Sequence, residues 1–154
     1  MKESVIKETN EMEIIFDADS ANEGFARVAV AAFMTDMNPT LEEVSDVKTA
    51  VSEAVTNAII HGYGFINERK EQKNKIRLHC AIHGNSIRVS VEDRGVGIED
   101  VHKAMEPLYT TKPELERSGM GFAFMEAFMD DVQVYSVVGE GTRVVMEKTL
   151  GKDA

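Results

Sequence analysis

Two side chains that could do chemistry together stand four residues apart in Ser52-Glu53-Ala54-Val55-Thr56-Asn57-Ala58-Ile59-Ile60-His61-Gly62. The context is helical, and residues at i and i+4 share one helix face. Glu53 and Asn57 therefore point the same way from the edge of an apolar stripe made by Val51, Ala54, Val55, Ala58 and Ile59. Burying an unpaired polar group costs about 1–3 kcal/mol, so the pair must face water or a ligand. One reading is an amphipathic helix with two solvated residues. The other is a site in which Asn57 offers a neutral oxygen to Mg²⁺ and Glu53 acts as base toward a hydroxyl.

Three further stretches could carry chemistry. Asp93-Arg94-Gly95-Val96-Gly97 ends an alternating run. It is either a plain turn or a place where Asp93 accepts a hydrogen bond from an exocyclic amine, with Gly95 and Gly97 admitting a flat ligand. Arg117-Ser118-Gly119-Met120-Gly121 precedes a helical run. It reads as a flexible helix entry or as an anion site, with free amides and with Arg117 and Lys112 adding charge. Gly141-Thr142 opens the last strand and is an ordinary hairpin position on its own.

The elements that position these residues follow from periodicity. Met12, Ile14 and Phe16 predict a first strand, with residues 1–10 a tail. Ser20 is the expected N-cap of a helix to about Met37, whose apolar face is read as Phe25, Val28, Ala29, Ala32 and Phe33, with Arg27 on the other side. Asn38-Pro39 stops it. Thr40-Leu41-Glu42-Glu43 is a capping-box pattern opening the helix that carries Glu53 and Asn57, and Gly62 closes that helix as a C-terminal glycine. Residues 64–74 read as a polar loop. Ile76 to Ile82 and Ile87 to Val91 form a hairpin about Gly84-Asn85. A short helix is expected near Glu99, a long loop over 105–118, a helix from Phe122 to Met129, and a hairpin of Val132–Val138 and Thr142–Lys148. The order predicts an α/β (α+β) sandwich: a mixed, mostly antiparallel sheet with helices on one face, in one domain spanning 1–154.

The bulk properties exclude some classes. A net charge of -10 argues against a nucleic-acid surface and leaves room for a basic protein partner. Cys80 is the one cysteine, so no internal disulfide forms, which fits a reducing cytoplasm. Met1 to Asn10 lacks the apolar run of a signal peptide, and no stretch reaches the ~20 apolar residues of a membrane span. His61, His79, His83 and His102 show no metal-site spacing.

Taken together, the Glu-x-x-x-Asn helix, the Asp-x-Gly-x-Gly turn, the long loop, Gly119-x-Gly121 and the late Gly-Thr resemble the ATP-binding (GHKL) fold of DNA gyrase, Hsp90, histidine kinases and MutL. More narrowly, residues 52–63 and 110–122 are similar to the anti-sigma-F factors of spore-forming bacteria, which are serine protein kinases; Phe25-Ala26-Arg27-Val28 and Phe128-Met129-Asp130-Asp131-Val132 agree. The resemblance runs from about Met12 to Thr149 and is weakest over 64–86. Arg94 stands where the family more usually has an acidic or amide residue.

The resemblance implies an ATP/ADP site with Mg²⁺ on Asn57, adenine held by Asp93 beside Gly95, Gly97 and Thr142, and a lid over 105–121. Within that lid Thr110, Thr111, Lys112 and Ser118 would belong to the nucleotide site, Gly119 and Gly121 would offer amides to phosphate, and Arg117 would reach the γ-phosphate. Glu53 would be the general base for a serine of an anti-anti-sigma factor, and the second partner would be the sporulation sigma factor F. Arg27 is the candidate partner contact, against a plain solvated arginine. A cytoplasmic homodimer is implied, with the N-terminal strand as candidate interface. The alternatives are a related kinase for a stress-response sigma factor and a nucleotide-switched binding module without catalysis. A histidine-kinase ATP domain and a gyrase- or MutL-like clamp fit less well, since each needs a further segment.

Overall fold

The computed structural model describes residues 9–64, 74–106 and 121–151. Among these residues five strands form one sheet: β1 (Thr9–Asp17), β2 (Lys75–His83), β3 (Ser86–Asp93), β4 (Asp131–Val137) and β5 (Gly141–Thr149). Their order is β1-β2-β3-β5-β4, and every neighbouring pair is antiparallel. The helices are α1 (Ala21–Phe33), α2 (Leu41–Asn57), α3 (Val101–Ala104) and α4 (Gly121–Phe128). The expected sandwich is present. Period-two alternation turns Ile76, Leu78, Cys80, Ile87, Val89, Val91, Val144 and Met146 toward α2, whose Val47, Ala50, Val51, Ala54 and Val55 complete the core. The alternate residues Arg77, Arg88 and Arg143 are exposed on the other face. Burial pushes the Cys80 thiol up to about 12, so this cysteine is core packing.

The capping box forms as expected. The Thr40 hydroxyl accepts from the Glu43 N–H at 3.0 Å, and the Glu43 carboxylate accepts from the Thr40 N–H at 2.9 Å. Glu43 also takes the Gly151 N–H at 2.8 Å, tying the start of α2 to the chain after β5. These N–H donors hold the Glu43 carboxyl below its ordinary value.

Several expectations shift. The first strand begins at Thr9, inside the expected tail, because it pairs with β2 from Thr9↔His83 to Asp17↔Lys75. Ser20 sits at the N-cap position but makes no side-chain cap; Asp19 Oδ1 instead accepts from the Ala21 N–H at 2.9 Å. After Phe33 the helix tightens to a 3-10 turn, Met34–Met37, and Asn38 stops it at φ 55. The apolar face of α1 is not the predicted one. Ala26, Val30 and Met34 are fully buried, while Phe25 and Val28 are 60% and 58% exposed. The helix is apolar almost all round, so periodicity could not choose its face; α1 packs against α2, and the four-residue stripe Ala26, Val30, Met34 is the one buried.

Gly62 does not end α2 as a left-handed cap. The helix passes at Ala58 into a π-helical turn, Ala58–Gly62, in which the Tyr63 N–H reaches back five residues to Ala58 O at 3.1 Å. Residues 1–8, and all but the ends of the loops at 64–74 and 105–118, lie outside the described residues. So do Thr110, Thr111, Lys112, Arg117, Ser118 and Gly119. Among the described residues no helix is long and apolar enough to cross a membrane. Replacing Thr40 by Ala removes one half of the capping box. It is expected to cost about 1 kcal/mol, read as a lower urea midpoint with an unchanged slope.

Candidate nucleotide site

Glu53 and Asn57 are half-buried on α2, and the N-terminus of α4 comes down on both. A Cβ built on Gly121 would lie 3.1 Å from Asn57 Nδ2, 3.2 Å from its Oδ1 and 3.4 Å from Glu53 Oε1. The carboxylate, the carboxamide and the first turn of a helix therefore meet at one point. A helix's first turn carries N–H groups without intrahelical partners and the positive end of its dipole, which suits an anion. Glu53 and Asn57 share one face of α2, and Gly121 lies against both.

The second cluster sits five residues further along the same helix, about 7 Å by helical rise. Asp93 ends β3 and is only 6% exposed. Its carboxylate accepts from the Gly95 N–H at 2.9 Å and from the backbone amide of Thr142. Burial outweighs these donors and pushes its pKa up to about 6. Thr142, directly opposite in the β3–β5 register, is 8% exposed.

Close backbone contact fixes the turn after Asp93. A Cβ on Gly95 would fall 2.0 Å from Gly62 O, and one on Gly62 would fall 2.9 Å from Asp93 Cγ. Between them the Val96 N–H donates to Gly62 O at 3.0 Å. This approach is why Gly62 is glycine: the end of the π turn presses against the carboxylate. Gly97 has φ +80, and a Cβ there would lie 2.4 Å from Val137 O. The β4–β5 hairpin thus closes over the turn, and the Gly139 N–H donates to Val96 O at 2.8 Å.

Two residues in this cluster were given no part from sequence. The Ser136 hydroxyl accepts from the Ile98 N–H at 2.7 Å and lies 2.8 Å from Thr142 Oγ1, so it fixes the Thr142 hydroxyl and the end of the glycine turn together. The signal was the hairpin register: a turn at 138–140 sets Ser136 opposite Thr142. Tyr63 is the other. It is a buried phenol, which needs a hydrogen-bond partner, and it directly follows Gly62.

Arg94 is exposed and leaves the Asp93 carboxylate to its N–H donors. It lines a shallow groove of about 380 Å³ with Ile15, Tyr63, Asn74, Lys75, Arg77 and Glu92, which takes in none of the residues singled out for chemistry except this arginine's own turn. Arg27 is partly exposed on the flank of α1, 3.7 Å from Glu23, and Glu23 in turn accepts the Ser52 hydroxyl next to Glu53.

A raised carboxyl pKa has a definite sign for stability. Between the ordinary value of 3.8 and about 6, folded Asp93 keeps a proton that the unfolded chain has lost. Ionised Asp93 thus costs stability above about pH 6, and the cost is relieved as pH falls toward 3.8. Asp93→Asn is expected to remove a fall in unfolding free energy of up to about 3 kcal/mol that the Asp93 chain shows between about pH 4 and about pH 7.5. Urea unfolding of both chains across that range reads it.

Comparisons with known proteins bear on the family and the fold. The family model described as a histidine kinase-like ATPase domain matches residues 16–148. Anti-sigma F factor from Clostridium novyi (strain NT) is 55% identical over 141 residues, covering 92% of this chain and 95% of the relative. The protein of the same name from Clostridium kluyveri is 56% identical with the same coverage, and that from Oceanobacillus iheyensis is 52% identical over 143 residues, covering 93% and 94%. Among solved structures, the RsbU and RsbW domains of a Mycobacterium tuberculosis protein match with TM-score 0.64 at 21% identity, over 92% of this chain and 32% of that one, which speaks to fold alone. Since more than half of the aligned residues are shared over nine-tenths of its length, the chain belongs to the anti-sigma F factor family, within the histidine kinase-like ATPase domains.

Proposed function

We propose that this chain is an anti-sigma factor and a serine protein kinase. It would bind and inhibit the sporulation sigma factor F and phosphorylate a serine of its anti-anti-sigma factor with Mg-ATP. The observation that carries the reading is the convergence of Glu53, Asn57 and Gly121 at the end of α2, with Gly62, five residues past Asn57 in the π turn, packed on the buried carboxylate of Asp93. The phosphate end and the base end of a nucleotide would thus be served by one rigid element. The relatives' name favours sigma factor F over a stress-response sigma factor.

In this reading Asp93 accepts the adenine amine, Thr142 and the Gly95–Gly97 turn line the base, and Gly121 starts the helix that faces the phosphates. The residues before Gly121 take the parts that the resemblance implies: Thr110, Thr111, Lys112 and Ser118 at the nucleotide, Gly119 by its amide and Arg117 at the γ-phosphate. The donor set fits magnesium. Asn57 offers one neutral oxygen, and Mg²⁺ is ordinarily held by one or two protein ligands plus substrate phosphates and waters. Bound there, the ion would neutralise phosphate charge. Glu53 would take the proton of the substrate serine as its oxygen bonds to the γ-phosphorus. The bond from that phosphorus to the β,γ-bridging oxygen breaks, and ADP leaves. Arg27, with the exposed Phe25 and Val28 on the same helix, is the proposed partner surface. A cytoplasmic homodimer using edge strand β1 completes the proposal.

The test uses γ-labelled ATP and Mg²⁺ with the protein and a candidate anti-anti-sigma substrate. Acid-stable label on a substrate serine is expected, with the rate falling about 10²- to 10⁴-fold in Glu53→Ala while nucleotide binding persists. Label released only as free phosphate would replace the kinase by a hydrolase or a nucleotide-switched binder. Full transfer in the variant would remove Glu53 as the base.

ATP binding should also release protons. An amine donor favours ionised Asp93, so its pKa falls on binding. Calorimetry in two buffers of different ionisation enthalpy is expected to show roughly half a proton released at pH 6 and none at pH 8.

A further inference from the structure

Tyr63 stands where the π turn, the start of β2 and the end of β3 meet, and it has no part in the reading above. Its ring is 1% exposed. Its hydroxyl uses both of its capacities, accepting from the Arg94 N–H at 2.5 Å and donating to Lys75 O at 2.7 Å. The register shows what this means. The β2–β3 ladder runs from His83↔Ser86 to Ile76↔Asp93, so the next rung would pair Lys75 with Arg94. Hydrogen-bonded pairs alternate along an antiparallel ladder, and Lys75–Arg94 is in phase with the His83–Ser86 pair that closes the two-residue turn. The phenol oxygen thus sits between the very donor and acceptor that would otherwise bond to each other. It satisfies both and holds the strands apart at that point.

The wedge acts on the residue beside it. With the rung blocked, β3 leaves the sheet after Asp93. Its next residues turn toward α2, where the Val96 N–H finds Gly62 O and Gly95 packs on the Gly62 carbonyl. Tyr63 itself is fixed at the end of the π turn through its N–H to Ala58 O. The helix carrying Glu53 and Asn57 thereby sets where the ladder stops.

We propose that Tyr63 is a positioning residue for purine recognition: its hydroxyl occupies the Lys75–Arg94 rung, ends the β2–β3 ladder at Asp93, and so aims the carboxylate at the 6-amino group. This rests on the adenine reading of Asp93 given above.

The test compares ATP with purine riboside 5′-triphosphate, which lacks only the 6-amino group, on the full chain and on Tyr63→Phe. The unmodified protein is expected to prefer ATP by about 10-fold or more, the scale of one hydrogen bond to a charged group. In Tyr63→Phe that preference falls to about 2-fold or less, while affinity for the purine riboside analogue stays within about 2-fold. A loosened fold would weaken both nucleotides alike, and that result overturns the proposal, as does an unchanged preference. If the unmodified protein shows no preference, the adenine reading of Asp93 fails first and this proposal with it. Amide exchange at Arg94 in the unmodified protein provides a check that needs no variant. ATP is expected to slow it well beyond the effect of the purine riboside analogue, and equal slowing by the two overturns the proposal.

Discussion

The arrangement depends on one close contact between main chains, where the π-helical end of α2 presses Gly62 against Asp93 and Gly95. There is no room for a Cβ on Gly62 or Gly95. The contact does two things that side-chain packing could not do as tightly. It seals the Asp93 carboxylate from water on one side, and it ties the end of the helix carrying Glu53 and Asn57 to the glycine turn through the bond from the Val96 N–H to Gly62 O. Interiors are close-packed and transmit displacement rather than absorbing it. A shift in α2 is therefore a shift in Asp93.

Sealing a carboxylate in this way opposes folding. Desolvation is the largest influence on Asp93, and two backbone donors, from Gly95 and Thr142, offset only part of it. A buried acid with incomplete compensation is what an amine donor from outside would relieve. The same geometry explains the support around it. Ser136 holds the Thr142 hydroxyl and the Ile98 amide, and the β4–β5 hairpin rests on Gly97, so the polar groups near the carboxylate are already oriented before anything binds. Preorganised dipoles need no reorganisation when a ligand arrives.

The first helix shows a different balance. Ala26, Val30 and Met34 meet α2, while Phe25 and Val28 face outward beside Arg27. The fold buries neither of these two large apolar side chains. Glu23 joins this flank to α2, meeting both Arg27 and the Ser52 hydroxyl.

Much of this was legible in the sequence because it rests on local rules. Period-two alternation placed the strands and the hairpin turns. The Thr40–Glu43 box fixed where α2 starts, and four-residue spacing put Glu53 and Asn57 on one face. What could not be read has a common cause: it turns on which of several locally equivalent choices the packing selects. The stripe of α1 was ambiguous because nearly every position is apolar. Gly62 read as a helix stop because a glycine needed for close approach looks the same in a sequence as a glycine needed for a left-handed turn. The Lys75–Arg94 rung was invisible because a phenol from residue 63 interrupts a ladder between residues 75 and 94. Local propensity and periodicity reach only along the chain, so tertiary structure alone decided which groups meet across it.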